Sequence, residues 1–413
     1  MVDEYAIINK AKSLGYQAEV YSIKLKQVQI KGGDQKHALF LSDSGYGVRV
    51  IKDGKIGLAY STRLDEKLLD LAIESLKPSK EDEFNVIPSR ENVEKLPLKY
   101  FDINDAFDKL SEILNSVEEI RDTANITSDY YEAINSIIKV VNTDGIDVEE
   151  ERSLVNVSLS FVFKRDNFVS PEIYESISSR DFNNLDIKGL LERVKEKAEI
   201  FKDYKSVGKK FNEVILTPKA ISTLLSPLLS FAVSLENGYR NRSPLMEGEY
   251  IKEGLVIIDN PRIPYAPYSR SFDGEGLPSK VVKIIDTSFV KYLSNTYWSL
   301  RAGKENTHSS VRSYATLPVI STSLVEIDVN EKAEEDTVVI DEVQGVHTSN
   351  FATGQFSVTA PVAWYKGVAV KNLTLTGSLK CMLKGIIGSV GNKKEIYGNV
   401  YTYPLKIKGI NAA

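Results

Sequence analysis

One cysteine and three histidines are all that 413 residues provide. A single thiol excludes an intramolecular disulfide and suits a reducing compartment. His37, His308 and His347 stand far apart and no HExxH run occurs, so a metal site would need ligands from remote segments. No stretch approaches the ~18 apolar residues of a membrane-spanning helix. The opening MVDEYAIINK is acidic and lacks the regions of a secretory signal, which predicts a cytoplasmic protein. No Lys/Arg-rich block interleaved with aromatics occurs, and the formal net charge is -5, which argues against nucleic acid as a partner. There is no G-x-S-x-G. The glycines at 45–47 and 385–391 fit neither a P-loop nor a dinucleotide-binding turn and read as turns.

What is present is ordinary for a globular chain, 42% hydrophobic and 26% charged, with length for two or three domains. The pattern predicts an α+β fold in three parts. Residues 1–100 read as an N-terminal α/β unit. It holds a helix over 3–13, strands over 18–30, 37–41, 46–51 and 56–60, and a helix over 64–76. Asp53-Gly54 between two of these strands is a hairpin signal. Residues 77–99, charged and holding Pro78, Pro88 and Pro97, read as a linker. Residues 101–206 read as a middle unit: a helix over 104–121, a hairpin over 131–163, and a helix over 185–204. Residues 207–413 read as a β-rich C-terminal domain. Thr217-Pro218 starts a helix there that Ser226-Pro227 interrupts or restarts before it runs to Gly238. Cys381, on a late helix over 378–387, reads as a small core residue. The acidic stretch 331–336 reads as a solvated loop, and His308 as a structural or surface residue in a polar loop.

Residues 271–303 organise the domain. Phe272-Asp273-Gly274-Glu275-Gly276 is an acidic, glycine-rich turn closed by Pro278. On its own chemistry it reads as a solvated turn. A strand over 281–285, a partner over 289–293, and a short helix from Thr296 stopped by Gly303 follow.

FDGEGLPSK, the hairpin and YWSLRAGKE together resemble the C-terminal half of the TldD/PmbA family. Residues 44–57, SGYGVRVIKDGKIG, resemble the family's glycine-rich N-terminal motif, and Gly354-Gln355-Phe356-Ser357 its T-G-x-F-S segment. The matches span nearly the whole chain in the family's order. The resemblance implies dimers around an enclosed cavity and cleavage of unfolded or small peptides.

TldD-branch members carry H-E-x-x-x-H on the helix after a strand like 214–216, and a tail cysteine completes their metal site. The six matching positions here are Ser226-Pro227-Leu228-Leu229-Ser230-Phe231. Ser226 and Phe231 stand where histidines would, and Pro227 stands where the glutamate would. Hydroxyl, ring and hydrocarbon groups bind Zn²⁺ poorly, and Pro227 cannot take a proton. The departure matches the PmbA branch, also called TldE. The implied role is a metal-free partner of a TldD-type subunit that carries Zn or Fe, with no cofactor on this chain and a homodimer in isolation. Arg240 and Arg242, in the loop after that helix, are candidate contacts to peptide or partner. Within the family core, Asp273 and Glu275 would shape the cleft. Two other readings stand beside this one. They are a peptidase acting alone, and a non-enzymatic binding protein of the DNA-gyrase-modulator type.

Overall fold

The computed structural model describes residues 2–32, 37–165, 168–206, 208–371 and 373–413. A mixed α+β architecture results, with a β-rich C-terminal domain. Its first layer is an antiparallel six-stranded sheet in the order β3-β2-β1-β4-β5-β6. The strands are β1 (Gln17–Lys31), β2 (His37–Lys52), β3 (Lys55–Ser61), β4 (Asn125–Asn142), β5 (Asp147–Val162) and β6 (Ile173–Ser179). Asp53 and Gly54 both take positive φ, 49° and 71°, which matches the twist that a two-residue hairpin demands.

β2 is one strand where the sequence reads as two. Asp43-Ser44-Gly45 is turn-prone, yet β1 pairs with β2 without a break from Gln17↔Ile51 to Lys31↔His37. A continuous ladder outweighs a local turn preference. β1 also pairs with β4, so residues read as 1–100 and as 101–206 contribute to one sheet. Helices α1 (Glu4–Ser13), α2 (Glu66–Glu74), α3 (Ala106–Glu118) and α4 (Ile187–Ile200) supply apolar stripes to the layers beside it. Asp3, Asp65 and Asp186 cap α1, α2 and α4 by accepting from backbone N–H groups.

Residues 77–99 are not a free linker. Ile87 and Leu98 are buried, Asn142 donates to the Pro88 carbonyl, and the Leu96 N–H donates to Ser271 Oγ. The segment lies along the seam between the first sheet and the C-terminal domain, where its backbone groups find fixed partners.

The C-terminal domain packs two sheets around the largest apolar core. In one, five strands close on themselves: Phe211–Leu216, Val338–Gln344, Gln355–Tyr365, Leu373–Ser378 and Leu405–Ala412. Four shorter strands extend this sheet beyond the ring. The other sheet holds Leu255–Asp259, Val282–Asp286 and Val325–Val329. Between the sheets runs a broken helix: Pro218–Ala220, a π turn at Ile221–Leu225, then Ser226–Ala232. Pro227 has no N–H to offer the carbonyl four residues back, and the widened π turn accommodates that loss. The helix stops at Val233 and a separate turn, Leu235–Tyr239, follows. The late helix, Leu379–Gly385, buries Leu379, Met382 and Leu383. Cys381 falls between those faces and is exposed, which corrects its reading as a core residue.

Candidate functional site

The helix Ser226–Ala232 borders a cleft of about 550 Å³. Ser222, Ser226, Ser230 and Ser234, four residues apart, line one wall. Ser321, Thr322, Asn399 and Phe351 come from distant segments. Ser226 Oγ donates to Asn399 Oδ1 at 2.9 Å, and the Thr322 N–H donates to Ser230 Oγ at 3.3 Å. The Phe231 ring packs against Phe351, 5.7 Å between centroids. Thr322 Oγ1 is buried and has no hydrogen-bond partner among the described residues. Glu236 is the one carboxylate in the lining among the described residues.

Ser226, Pro227 and Phe231 thus face this cleft together. Hydroxyls, carboxamides, a proline ring and one carboxylate do not fit Zn²⁺ or Fe²⁺, which take imidazole, thiolate and multiple carboxylates. Neutral hydrogen-bonding groups beside a packed aromatic pair suit an uncharged polar chain such as a peptide backbone.

Arg240 and Arg242 stand at the rim. Both are half exposed and pair with Glu236, at 3.2 and 3.4 Å. The Arg240 guanidinium lies over the Trp298 ring, 5.0 Å from its centroid. They are held near the cleft through Glu236 and do not line it.

Asp273 and Glu275 are elsewhere and are not solvated. Their exposures are 2% and 1%, so the solvated-turn reading fails. Asp273 Oδ1 accepts from the N–H groups of Glu275 and Leu277, at 2.9 and 3.1 Å, and Oδ2 accepts from that of Ser310 at 3.2 Å. Glu275 Oε2 accepts from the Thr296 N–H, at the start of the helix Thr296–Ala302, at 3.0 Å. Burial pushes Asp273 up to about 7, with Glu275 adding to it against Arg270 and the backbone donors. Burial also raises Glu275, against the pull of Arg49. Gly276 completes the turn at φ 80°, where a Cβ would lie 2.6 Å from Ile146 Cγ2.

The turn belongs to a buried ion network that joins the first sheet to the C-terminal domain. Glu19 and Arg49 sit directly opposite on β1 and β2, and Arg49 Nη2 donates to Glu19 at 3.0 Å. Arg312 closes on the other Glu19 oxygen, and Glu275 lies 3.7 Å from Arg49. Glu275 and Arg49 line a separate small cavity of about 180 Å³ with Tyr297 and Trp298.

A second network was not foreseen. Lys219, on the first turn after Thr217-Pro218, lies 3.0 Å from Glu342, 3.4 Å from Asp341 and 3.5 Å from Glu175. Lys197 of α4 reaches Asp341 at 2.7 Å and also pairs with Glu175. Despite burial, the two lysines hold Glu175 and Asp341 below the usual carboxylate range. Nothing local marks these residues, because Glu175 lies 22 and 44 positions from the two lysines, and Asp341 and Glu342 lie more than a hundred away. His308 is buried rather than at the surface, with Nδ1 donating to the Pro278 carbonyl at 2.8 Å. Burial lowers its pKa, so the ring is neutral and Nε2 accepts from Lys280 at 3.2 Å.

Comparison with known proteins agrees with this architecture. Three models of one family match in order: PmbA/TldA metallopeptidase domain 1 over residues 19–77, the central domain over 101–201, and the C-terminal domain over 209–413. An uncharacterized protein of Methanocaldococcus jannaschii is 29% identical over 403 residues, 94% of each chain. The crystal structure of TldE from Thermococcus kodakarensis superposes with a TM-score of 0.88 at 22% identity, covering 99% of both chains. A proposed modulator of DNA gyrase from Thermotoga maritima gives 0.85 at 20% identity, covering 98% of both. These last two likenesses speak to fold. With all three family models matched in sequence order, the chain belongs to the TldD/PmbA family.

Proposed function

We propose that this chain is the metal-free, TldE-type partner subunit of a cytoplasmic TldD/TldE metallopeptidase complex that cleaves unfolded or small peptides. The observation that carries the reading is the cleft beside 226–231. It is lined by Ser226, Pro227 and Phe231, the positions that the resemblance matches to the metal ligands and base of the TldD branch. Metal-assisted hydrolysis needs a metal ion to polarise the carbonyl and acidify water, plus a carboxylate to take the proton. Both are assigned to the TldD-type partner.

This chain's own residues act on position. Ser222, Ser230, Ser234 and the Thr322 hydroxyl, without a partner among the described residues, offer hydrogen bonds to an extended peptide, and the Phe231–Phe351 pair lies beside it. Arg240, exposed at the rim, meets peptide or partner. Retention of the scaffold without its chemistry suits a subunit that completes a cleft.

The test is to assay a disordered peptide with each subunit alone and with both. Turnover is expected only from the mixture, and Arg240→Ala should weaken it without removing the partner's metal. Cleavage by this chain alone, or an unchanged partner rate on mixing, sinks the proposal. The gyrase-modulator description of the Thermotoga relative favours a second reading, a non-enzymatic binding protein. Salt-sensitive DNA binding by the purified chain would select it.

A further inference from the structure

β3 pairs with β2 only from Tyr46 to Lys52. From His37 to Asp43, β2 has β1 on one side and no strand on the other among the described residues. All seven residues of this edge are exposed, with Leu39 at 45%, Phe40 at 67% and Leu41 at 44%. Edge strands are usually guarded by lysine, proline or a bulge. His-Ala-Leu-Phe-Leu-Ser-Asp has no lysine and no proline, and its ladder with β1 is unbroken.

The same seven residues are nearly their own antiparallel complement. We propose that a second copy of this chain pairs along this edge, antiparallel about a two-fold axis at Phe40. In that register Phe40 faces Phe40 of the partner subunit, and Leu39 faces Leu41 of the partner subunit. Ala38 faces Ser42 of the partner subunit, and His37 faces Asp43 of the partner subunit. Every pair but the central one recurs by symmetry, as an isologous contact requires. Small meets small, apolar meets apolar, and an imidazole meets a carboxylate. A two-residue slip would set Leu39 against Asp43 and lose the match. Phe40 already packs on Phe107 of α3, 5.8 Å between ring centroids, and Phe107 is itself 38% exposed. Pairing would cover both rings in each subunit and join two six-stranded sheets into one. This contact does not rest on the peptidase reading.

The experiment uses the purified full chain. Sedimentation and light scattering compare the natural sequence with Phe40→Lys and, on the opposite face of the strand, Leu39→Lys. Circular dichroism confirms that both variants fold. Each lysine should weaken association at least about tenfold and halve the mass at a fixed concentration. Register is tested in a Cys381→Ser background. Phe40→Cys should form an intermolecular disulfide under copper–phenanthroline, two thiols being oxidised to one bond. Ala38→Cys should not, because its symmetry mate lies roughly 14 Å away, four residues along the strand. An unchanged mass in both lysine variants overturns the proposal, and so does crosslinking at 40 no faster than at 38.

Discussion

Asp273 makes the fold sensitive to pH in a direction opposite to most carboxylates. In an unfolded chain an aspartate titrates near ~3.9. In the fold, burial and the neighbouring Glu275 push Asp273 up to about 7. Between those values the folded state keeps a proton that the unfolded state has released. Stability is therefore greatest below the unfolded value and falls as pH rises, by ~1.4 kcal/mol per pH unit for one proton. From pH 5 to 6.5 the loss is about 2 kcal/mol. Asp259, raised by burial to about 6, adds a loss of the same sign over the lower part of the window, and Glu275 acts alike. His308 opposes them. Its pKa is lowered by burial, so folding gains stability as pH rises and the unfolded imidazole loses its proton. Glu175 and Asp341 are held low, and their contribution is lost only under more acidic conditions.

Asp273→Asn isolates the effect. The amide oxygen can still accept from the Glu275 and Leu277 N–H groups, but the side chain no longer titrates. Urea unfolding followed by circular dichroism at pH 5, 5.5, 6 and 6.5 gives both stabilities. Relative to the variant, the natural protein should lose about 2 kcal/mol across that range. A constant difference would refute the reasoning. It would mean that three N–H bonds and Arg270 outweigh burial and keep the carboxylate charged.

Two further changes test the seams. Gly276→Ala puts a Cβ at φ 80° and 2.6 Å from Ile146 Cγ2, so thermal unfolding should show a loss of about 1–3 kcal/mol. Lys219→Met leaves Glu175, Asp341 and Glu342 short of a cation, and should cost about 3 kcal/mol at pH 7. That cost should shrink near pH 4, where the stranded carboxylates take up protons, and chemical denaturation at the two pH values measures it.

What the sequence carried was whatever depends on near neighbours. Asp53-Gly54 and the Gly303 stop are each decided within a few residues, and each is where the pattern placed it. The Ser226-Pro227 interruption also follows from one missing N–H. Asp273 and Glu275 read as solvated because an acidic, glycine-rich turn ordinarily is. Their burial depends on Arg49, over two hundred positions earlier, and on Arg270 and Ser310. The fusion of two expected strands into β2 depended on β1 as a template. For the cleft one signal was legible and went unread: serines at 222, 226, 230 and 234, a helical spacing. Thr322, Phe351 and Asn399, on the facing wall, carry no such periodicity.

The two ion networks bear on the cleft as well as on stability. Replacing a buried ion pair with well-packed apolar groups is often neutral or stabilising, because desolvation offsets most of the attraction. Charges that must meet a few named partners nevertheless select one docking geometry, where an apolar seam would tolerate sliding. Glu19 with Arg49 and Arg312 fixes the first sheet against residues 271–312. Lys219 with Glu175 and Asp341 fixes β6 and α4 against the C-terminal domain. The second anchor lies where the cleft begins. Thr217 caps the helix and donates to Asp341, Lys219 follows two residues later, and Ser222 starts the serine wall. The register of that wall is thus set by a lysine buried among carboxylates. In Lys219→Met the serines should lose their fixed position even where the protein stays folded. Hydrogen exchange of the 218–232 amides reads this directly. Faster exchange there than in β1 to β5, under conditions where global stability is matched by urea, is the expected result. Uniform exchange across both domains would show that the network holds the seam alone and leaves the cleft untouched.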